Sequence, residues 1–329
     1  MSFEQLFEEV SRLRVLVIGD VMLDTYCWGV VERISPEAPV PIVAVKKTET
    51  RIGGAGNVAI NTASLGANTS IITVLGNDDT GNTLKKLVED AGIQTDFLIQ
   101  TPDRPTTNKT RIMGRNQQMM RLDLEETKDI DAALEATLWQ QIQTYFEKHI
   151  PQVCILEDYN KGVLTETLIA KIIALCNAKG VITTVDPKKK NFFTYRGVTL
   201  FKPNLKEVKE GLQIAIPSVE KGALDYVHQQ LQAKLQHTIS LITLSEHGVY
   251  YHDEQQSAII PTHIRNIADV SGAGDTVIAV ASVVYAVTRQ MLLAAEIANI
   301  AGGLVCEEVG TAPIRSQLLL QEVKRLLSA

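Results

Sequence analysis

The segment Asp269–Val280, DVSGAGDTVIAV, holds the residues best suited to phosphate chemistry. Gly272, Ala273 and Gly274 are small enough to bring backbone N–H groups close to an anion, and Asp275 begins an apolar helix. A helix start behind a glycine-rich turn favours anions, because its N–H groups are unpaired and its dipole is positive there. A carboxylate repels phosphate, so we expect Asp275 to take a proton from a group that attacks the phosphate. The alternative is a plain turn in which Asp275 caps the helix.

A second glycine-rich stretch, Arg51–Gly66, has the sequence RIGGAGNVAINTASLG. It matches neither GxGxxG nor GxxxxGK[ST], so the two common nucleotide fingerprints are absent. Gly53 and Gly54 permit close backbone approach, and the Asn57 amide can bond two hydroxyls at once. These features indicate a polyol site. A turn followed by a packed helix is the alternative.

The segment KPNLKE, Lys202–Glu207, directly follows an apolar strand. Asn204 and Glu207 are three residues apart at a predicted helix start, so their side chains can face one point. An amide and a carboxylate there suit Mg²⁺ held through water beside a triphosphate. A capping pair would look the same.

Four aspartates stand just beyond predicted strands. In open α/β sheets the ligand crevice lies at the carboxyl ends of the strands, so each of them is placed where substrates bind. These residues are Asp20, Asp24, Asp158 and Asp186. A single one would be an ordinary loop or cap residue, but four together indicate a site.

Short β-branched runs alternate with helical patterns along most of the chain, which is typical of a mostly parallel sheet covered on both faces. The predicted strands are Arg14–Ile18, Ser70–Val74, Val153–Leu156, Val181–Val185, Leu200–Lys202 and Ser240–Leu244. The predicted helices are Asn57–Leu65, Thr80–Ala91, Thr165–Ala178, Leu205–Leu212, Ala223–Leu235, Asp275–Thr288, Met291–Cys306 and Ser316–Leu327.

Two stretches, about 26–48 and 106–123, break this rhythm. The first has three prolines among alternating residues, and the second alternates polar and apolar residues without a helical stripe. Both suit strands outside the parallel sheet. We therefore predict one domain over residues 1–329, with a small β lid inserted from these two stretches.

The bulk composition narrows the function classes. The net charge of −6 and the lack of a long basic run argue against a nucleic-acid partner. No apolar stretch approaches the roughly 20 residues that span a bilayer, and the N-terminus lacks signal-peptide features. The four scattered cysteines are expected to be reduced thiols, and we expect a cytoplasmic protein without membrane insertion.

The motifs GGAGNVA, KPNLKE and DVSGAGDT, in this order, resemble the signatures of the ribokinase (phosphofructokinase-B type) sugar kinases. The resemblance covers essentially the whole chain and implies a ribokinase-like three-layer α/β/α domain with a β-sheet lid. Within the family, five further segments resemble the members that act on heptose 7-phosphate. These are GDVMLDTYCWG, ERISPEAPVPIV, TTNKTRIMGRNQQMMRLD, EDYNKG and DPKK.

The resemblance assigns a role to each site residue. It implies that Asp275 is the catalytic base and that the backbone of Gly272, Ala273 and Gly274 forms an anion hole. The residues expected at the substrate are Asp20, Asp24, Gly53, Gly54, Asn57, Lys109, Arg111, Asp158 and Lys161. Those expected at ATP are Lys188, Asn204, Glu207, Thr243, Ser245, Gly248 and Asn299, of which Asn204 and Glu207 would also serve Mg²⁺. Asp269 and Ser271 match a monovalent-cation site, with K⁺ the expected ion.

The implied reaction is phosphorylation of the anomeric hydroxyl of D-glycero-D-manno-heptose 7-phosphate by ATP, in a homodimer formed through the lid. Alternatives are the same chemistry on another sugar or sugar phosphate, and a catalytically silent sugar-binding protein on this fold. Alternation along the second lid stretch puts four cationic side chains on one face, which suits a sugar phosphate. These are Lys109, Arg111, Arg115 and Arg121, with Arg33 in the first stretch as a further candidate.

Overall fold

Apolar runs of a few residues form the strands of the main sheet, because β-branched side chains pack well on a pleated surface that is buried on both faces. The computed structural model describes residues 1–114, 117–263 and 265–327. The strands are β1 (Arg14–Gly19), β2 (Val21–Ile34), β3 (Pro41–Gly54), β4 (Asn68–Ile72), β5 (Val74–Gly76), β6 (Ile99–Thr101), β7 (Asn108–Gly114), β8 (Gln117–Leu124), β9 (Val153–Glu157), β10 (Ile182–Asp186), β11 (Leu200–Phe201), β12 (Ile239–Thr243), β13 (Val249–His252) and β14 (Ser257–Ile260). The helices are α1 (Phe3–Val10), α2 (Ala55–Ser64), α3 (Asp79–Asp90), α4 (Ala132–Lys148), α5 (Glu166–Lys179), α6 (Leu205–Leu212), α7 (Lys221–Leu235), α8 (Ala273–Thr288), α9 (Met291–Val305) and α10 (Ser316–Leu327).

The main sheet has eight strands in the order β14-β13-β12-β11-β10-β9-β1-β4. The six strands from β12 to β4 run parallel, and the hairpin β13-β14 adds an antiparallel edge. This confirms the prediction of a mostly parallel sheet. The carboxyl ends of the parallel strands therefore meet at one edge, where polar side chains gather.

Alternate residues of β1 feed two separate cores. Val15 and Val17 pack with α1, α2, α8, α9 and α10, whereas Leu16 and Ile18 pack with α4, α5, α6 and α7. A strand with period two requires this division when both faces are covered. The result is the three-layer α/β/α arrangement. No helix among the described residues has the length and apolar character that crossing a bilayer requires.

The prediction missed α1, α4, the short strand β6 and the β13-β14 hairpin. The buried residues of α4 are Leu138, Ile142, Tyr145 and Phe146, and their spacing is a helical stripe that the sequence displays. The Asp131 side chain accepts a bond from the Leu134 N–H and caps this helix. The signal was therefore present, but the prediction overlooked it.

The two irregular stretches form a separate four-stranded sheet in the order β3-β2-β7-β8. Its strands are longer than predicted, since β2 begins at Val21 and β3 continues to Gly54. Pro36 and Pro39 lie in the connection between β2 and β3, where missing N–H donors do no harm. Arg115 lies outside the described residues. Whether this small sheet acts as a lid stays a prediction.

Three imidazoles lie together where α7 meets the antiparallel edge of the main sheet. His228 and His237 are buried and both bond the Ser240 hydroxyl, at 2.9 and 2.6 Å, and the ring of His252 stacks on His228 with centroids 3.7 Å apart. Burial and the neighbouring imidazoles lower the pKa of His228 to about 4 and that of His237 to about 3. The negative charge of Asp225 opposes this at His228 but does not outweigh it. In the unfolded chain both pKa values return to about 6.5.

We expect this cluster to make the fold sensitive to acid. Between about pH 6.5 and pH 3 the unfolded chain binds protons that the folded cluster rejects, so the stability it contributes at neutral pH is lost as the pH falls. His228→Asn and His237→Gln, which keep a nitrogen near each bonded position, should flatten this loss while lowering stability at pH 7. Urea unfolding at pH 7, 6, 5 and 4 measures both. His247→Asn, on an exposed turn, is the control, and a wild-type slope in both buried variants would contradict the expectation.

Candidate active site

Asp275 lies in the first turn of α8, which begins at Ala273 after Gly272. Gly272 has a φ of 79°, and a Cβ there would stand 2.7 Å from the Asn57 amide nitrogen, so both conformation and space require glycine. The capping alternative is wrong, because Gly272 is the N-cap and Asp275 is the third helical residue. The N–H of Ala273 donates to the Val270 carbonyl at 3.3 Å. An anion at this turn would therefore rely on the other N–H groups of the helix start.

Two donors hold the Asp275 carboxylate, which is 4% exposed. The Asn57 amide of α2 donates to Oδ2 at 2.8 Å, and the Tyr159 hydroxyl donates to Oδ1 at 2.7 Å. Burial raises the pKa of Asp275, although both donors favour the charged form. The carboxylate is thus fixed in orientation and more basic than an exposed one, as a proton acceptor requires.

The glycines before α2 let two strands approach each other closely. A Cβ on Gly53 would lie 2.5 Å from Oδ2 of Asp24, and one on Gly54 would lie 2.3 Å from the Asp20 carbonyl. Asp24 is buried and pairs with the Arg111 guanidinium of β7. Two predicted substrate residues, Asp24 and Arg111, are therefore in direct contact with each other.

Asp20 and Asp158 are almost fully buried, and their carboxylates are already bonded to the protein. Asp20 accepts from three backbone N–H groups of the loop after β9, at Tyr159, Lys161 and Val163. Burial and the neighbouring Asp158 raise the pKa of Asp20 to about 6. The Asp158 carboxylate has partners of its own, the Tyr195 hydroxyl, the Asn191 amide and the Asn160 N–H. Both aspartates shape the loop, and direct substrate contact by either stays a prediction.

Three buried carboxylates gather at the ends of β9, β10 and α8. Glu157, Asp186 and Asp275 each bring a carboxylate oxygen within 4.8 Å of the others. Lys202 binds Asp186 at 2.9 Å and Lys188 binds it at 3.2 Å. Burial raises the pKa of Asp186, but the two lysines outweigh burial and hold it below its ordinary value. This charged group reaches the turn at the start of α8, since a Cβ on Gly274 would lie 3.6 Å from the Lys202 ammonium.

Asn204 and Glu207 form a reciprocal cap at the start of α6. The Asn204 side chain accepts from the Glu207 N–H at 2.9 Å, and the Glu207 carboxylate accepts from the Asn204 N–H at 2.8 Å. The capping arrangement is therefore real, and it leaves Oε1 of Glu207 in contact with Lys188 at 3.0 Å. Burial lowers the pKa of Lys188, but the negative charges of Asp186 and Glu207 outweigh burial and raise it above its ordinary value. Lys188 thus links the predicted Mg²⁺ residues to the strand-end carboxylates.

The predicted nucleotide residues lie near one another on the β12 side of the sheet. Thr243 ends β12 and bridges to Asn204, while Ser245 and Gly248 belong to the turn that follows. The Asn299 amide of α9 donates to the Pro261 carbonyl at 2.8 Å, and a Cβ on Gly248 would lie 2.9 Å from the carbonyl carbon of Pro261. The turn and the helix therefore flank the same short segment.

Asp269 and Ser271 lie just before α8. Asp269 accepts from the Ser271 N–H and hydroxyl at 2.9 and 2.8 Å, and from the Gly310 N–H at 2.9 Å. Burial raises the pKa of Asp269, but these bonds hold it below its ordinary value. The hydroxyl of Thr311 is buried and has no partner among the described residues. Asp269 and Ser271 are therefore bonded to each other, and a cation at this pair stays a prediction.

The predicted cationic face of the small sheet is only partly cationic. Pairing places Lys109 opposite Asp123 and Arg111 opposite Arg121, so Lys109, Arg111 and Arg121 share a face as predicted. Arg121 is half-exposed and bound to Asp123, and Arg33 is exposed near the far end of β2. The face mixes both signs, because nearby carboxylates neutralise the basic side chains.

Four residues at the site were missing from the predicted set. Glu157 is 0% exposed, and neither carboxylate oxygen has a hydrogen-bond partner among the described residues. Burial and the charges of Asp186 and Asp275 raise the pKa of Glu157 well above its usual range. Its position beside Asp158 at a strand end was a signal that the sequence offered. Tyr159 and Lys202 stand inside the motifs EDYNKG and KPNLKE, but their contacts with Asp275 and Asp186 come from the fold. Glu125 gave no sequence signal.

Residues 12–317 match the model of the pfkB family of carbohydrate kinases. The chain belongs to this family. Relatives include Bifunctional protein HldE of Methylobacillus flagellatus, 43% identical over 319 residues, which are 96% of this chain and 64% of the relative. The same-named proteins of Helicobacter hepaticus and Geobacter sulfurreducens are each 39% identical, over 96% and 95% of this chain and 64% and 63% of their own lengths. The chain therefore spans somewhat less than two thirds of these relatives.

Solved structures confirm the fold. Phosphofructokinase-2 from Escherichia coli in complex with potassium superposes with a TM-score of 0.79 at 16% identity, covering 96% of this chain and 100% of that one. Ribokinase from Arabidopsis thaliana complexed with ribose and ATP gives a TM-score of 0.72 at 16% identity, covering 94% and 99%. The ribokinase-like α/β/α prediction is confirmed.

We expect Asp186→Asn to destabilise the protein strongly. The change leaves the Lys202 ammonium buried beside a neutral amide, and breaking such a pair from one side costs about 3–5 kcal/mol. Urea unfolding at pH 7 measures the loss. Glu210→Gln removes the exposed partner of Lys206 and should cost under about 1 kcal/mol. Equal losses in the two variants would show that Asp186 does not carry the buried charge balance.

Proposed function

We propose that this chain transfers the γ-phosphoryl group of ATP to the anomeric hydroxyl of D-glycero-D-manno-heptose 7-phosphate, a step of ADP-heptose synthesis for lipopolysaccharide in the cytoplasm. The observation that carries the proposal is the buried Asp275 carboxylate, held by Asn57 and Tyr159 at a helix start beside two lysines. A protein that only binds sugar has no use for an oriented base beside an anion site. The family membership and the relatives at about 40% identity agree with this choice.

The proposed chemistry is an in-line displacement. The hydroxyl oxygen forms a bond to the γ-phosphorus while the bond from that phosphorus to the bridging oxygen breaks, and ADP leaves with the electron pair. Asp275 accepts the hydroxyl proton. Lys202 and Lys188 would stabilise the negative charge on the transferring phosphoryl group, together with backbone N–H groups in the first turn of α8. Asp24 and Asn57 would orient the sugar, and the small sheet would close over it to exclude water.

We also propose two cations, each at residues of suitable chemistry. Magnesium prefers carboxylate and amide oxygens, and Asn204 with Glu207 offers both on the nucleotide side. It would neutralise ATP phosphates. A potassium ion would suit Asp269, Ser271 and the buried, unbonded hydroxyl of Thr311.

The choice of a phosphorylated sugar depends on Lys109, Arg111 and Lys161, which approach the Asp20 and Asp24 region from two elements. A neutral sugar needs no cations there, whereas a phosphate could exchange with the carboxylates that now pair with them. The principal alternative is therefore another sugar phosphate, followed by a neutral sugar.

An ADP-release assay across a panel of sugars tests the proposal. We expect the highest kcat/KM for heptose 7-phosphate, lower values for hexose 6-phosphates and pentose 5-phosphates, and little activity on the unphosphorylated sugars. Asp275→Asn should lose at least about 100-fold in kcat, the low end for removal of a general base, while ATP binding measured by calorimetry persists. A preference for a neutral sugar would overturn the substrate, and a variant with more than a tenth of wild-type kcat would remove Asp275 from the role of base.

We also propose a homodimer through the small sheet. The face opposite the charged one carries exposed apolar side chains, including Met120, Leu122 and Leu124, which are 54–58% exposed. Such a patch on a folded protein usually marks an interface. Two copies of the same sheet face would cover each other with twofold symmetry.

Sedimentation of the wild type should show a dimer, and Leu122→Glu should shift it to monomer, because burying an unpaired carboxylate at the interface is costly. Ile150→Glu, at an equally exposed apolar residue outside the sheet, should remain dimeric. A dimer that survives Leu122→Glu, or a monomeric wild type, would contradict this interface.

A further inference from the structure

Two lysines from different parts of the fold converge on one carboxylate oxygen. Oε2 of Glu125 lies 3.0 Å from the Lys109 ammonium of β7 and 2.8 Å from the Lys161 ammonium of the loop after β9. Asp123 adds a second carboxylate to Lys109 at 3.2 Å. The side chains of Lys109, Lys161 and Glu125 are 14%, 13% and 24% exposed. These side chains are therefore mostly buried, and the reduced contact with water strengthens the attraction between their charges.

This cluster is attached to the substrate region through the backbone. The Lys161 N–H donates to Asp20 at 3.0 Å, and Tyr159, two residues earlier, bonds the Asp275 base. In the parallel pairing of β2 with β7, the backbone of Lys109 lies opposite that of Asp24. Any ligand that bridges both lysines would thus touch the small sheet and the main domain at once.

Glu125 is attached to this cluster by few contacts. It follows the last residue of β8, in a segment without regular structure, and among the described residues its side chain bonds only the two lysines. Burial raises the pKa of Glu125, but Lys161 and Lys109 outweigh burial and keep the group charged. Its carboxylate can leave by rotation of one flexible side chain, without breaking a helix or strand bond.

A phosphate monoester is a better bridge between two ammonium groups than a carboxylate. It carries up to two negative charges and three terminal oxygens, so each lysine can bond a separate oxygen. The geometry points to Glu125 as the internal counter-ion of a phosphate subsite formed by Lys109 and Lys161, which the phosphate of the substrate displaces on binding. This inference depends on the proposed function for its choice of a phosphorylated sugar as ligand.

The counter-ion acts as a specificity device. A neutral sugar carries no anion that can replace Glu125 between the two lysines. The contacts of Glu125 with Lys109 of the small sheet and Lys161 of the main domain then remain. A sugar phosphate exchanges with the carboxylate and binds both elements through its own oxygens. The exchange reduces the affinity for all phosphates, because the carboxylate competes with them.

Removing the competing charge tests the exchange with inorganic phosphate as the probe. Glu125→Gln keeps the size of the side chain, and calorimetry at constant ionic strength, with ADP and Mg²⁺ present to fill the nucleotide side, should show phosphate binding at least fivefold tighter than in the wild type. Glu126→Gln is the matched control, because Glu126 caps the N–H groups of Thr127 and Lys128 and contacts neither lysine. It should stay within twofold of the wild type. Adding Lys161→Ala to Glu125→Gln should abolish the gain.

A phosphate affinity in Glu125→Gln that is equal to or weaker than in the wild type would overturn the inference and make Glu125 a structural tie. If Glu125→Gln does not fold, Glu125→Asp keeps the charge but shortens the reach, so it should still tighten phosphate binding, and no tightening there overturns the inference as well. The probe contains no sugar, so this result is independent of the substrate panel. In turnover, Glu125→Gln should lower KM for the sugar phosphate with kcat unchanged, and leave KM for a neutral sugar unaltered.

Discussion

The structure depends on a balance of buried charge at the carboxyl ends of its parallel strands. Carboxylates collect at this edge on neighbouring strands, and the register puts Gly19, Glu157 and Asp186 side by side. Left unpaired they would repel one another at high cost in a medium of low dielectric. Two lysines and several backbone N–H groups offset the repulsion, and Glu157 is held towards its neutral form.

This balance explains why the site lies where it does. Lys202, one of the two lysines that neutralise Asp186, lies next to the helix start that carries Asp275, so a phosphate bound there, as proposed, would meet a cation that also stabilises the fold. ATP and its metal would add charge of both signs at this edge and therefore change the protonation of its members. Because these charged groups lie close together, a change in the protonation of one changes the electrostatic energy of its neighbours.

Much of the main domain could be predicted from the sequence, because its signals are local. Continuous β-branched runs predict buried strands, and the glycine-rich turns predict the starts of α2 and α8 within two residues. The partners of the site residues are less accessible. Asn57 was expected to bond sugar, yet its amide donates to Asp275, which lies 218 positions along the chain. Spacing alone carries no information about such a contact.

In the small sheet, too, the sequence predicted the direction of side chains but not their partners. Alternation correctly placed Lys109, Arg111 and Arg121 on one face, since the period of a strand is a local property. It could not show that Asp24 would meet Arg111, because the parallel pairing of β2 with β7 brings together residues more than 80 positions apart. Asp123 and Glu125 meet Lys109 only through the register of the β7-β8 hairpin, which alternation along one strand does not give. A cationic face read from one strand is therefore an upper limit on its charge. What a phosphate meets there is the charge that remains after the fold has supplied its own anions, and in this protein those anions come from β2 and from the end of β8.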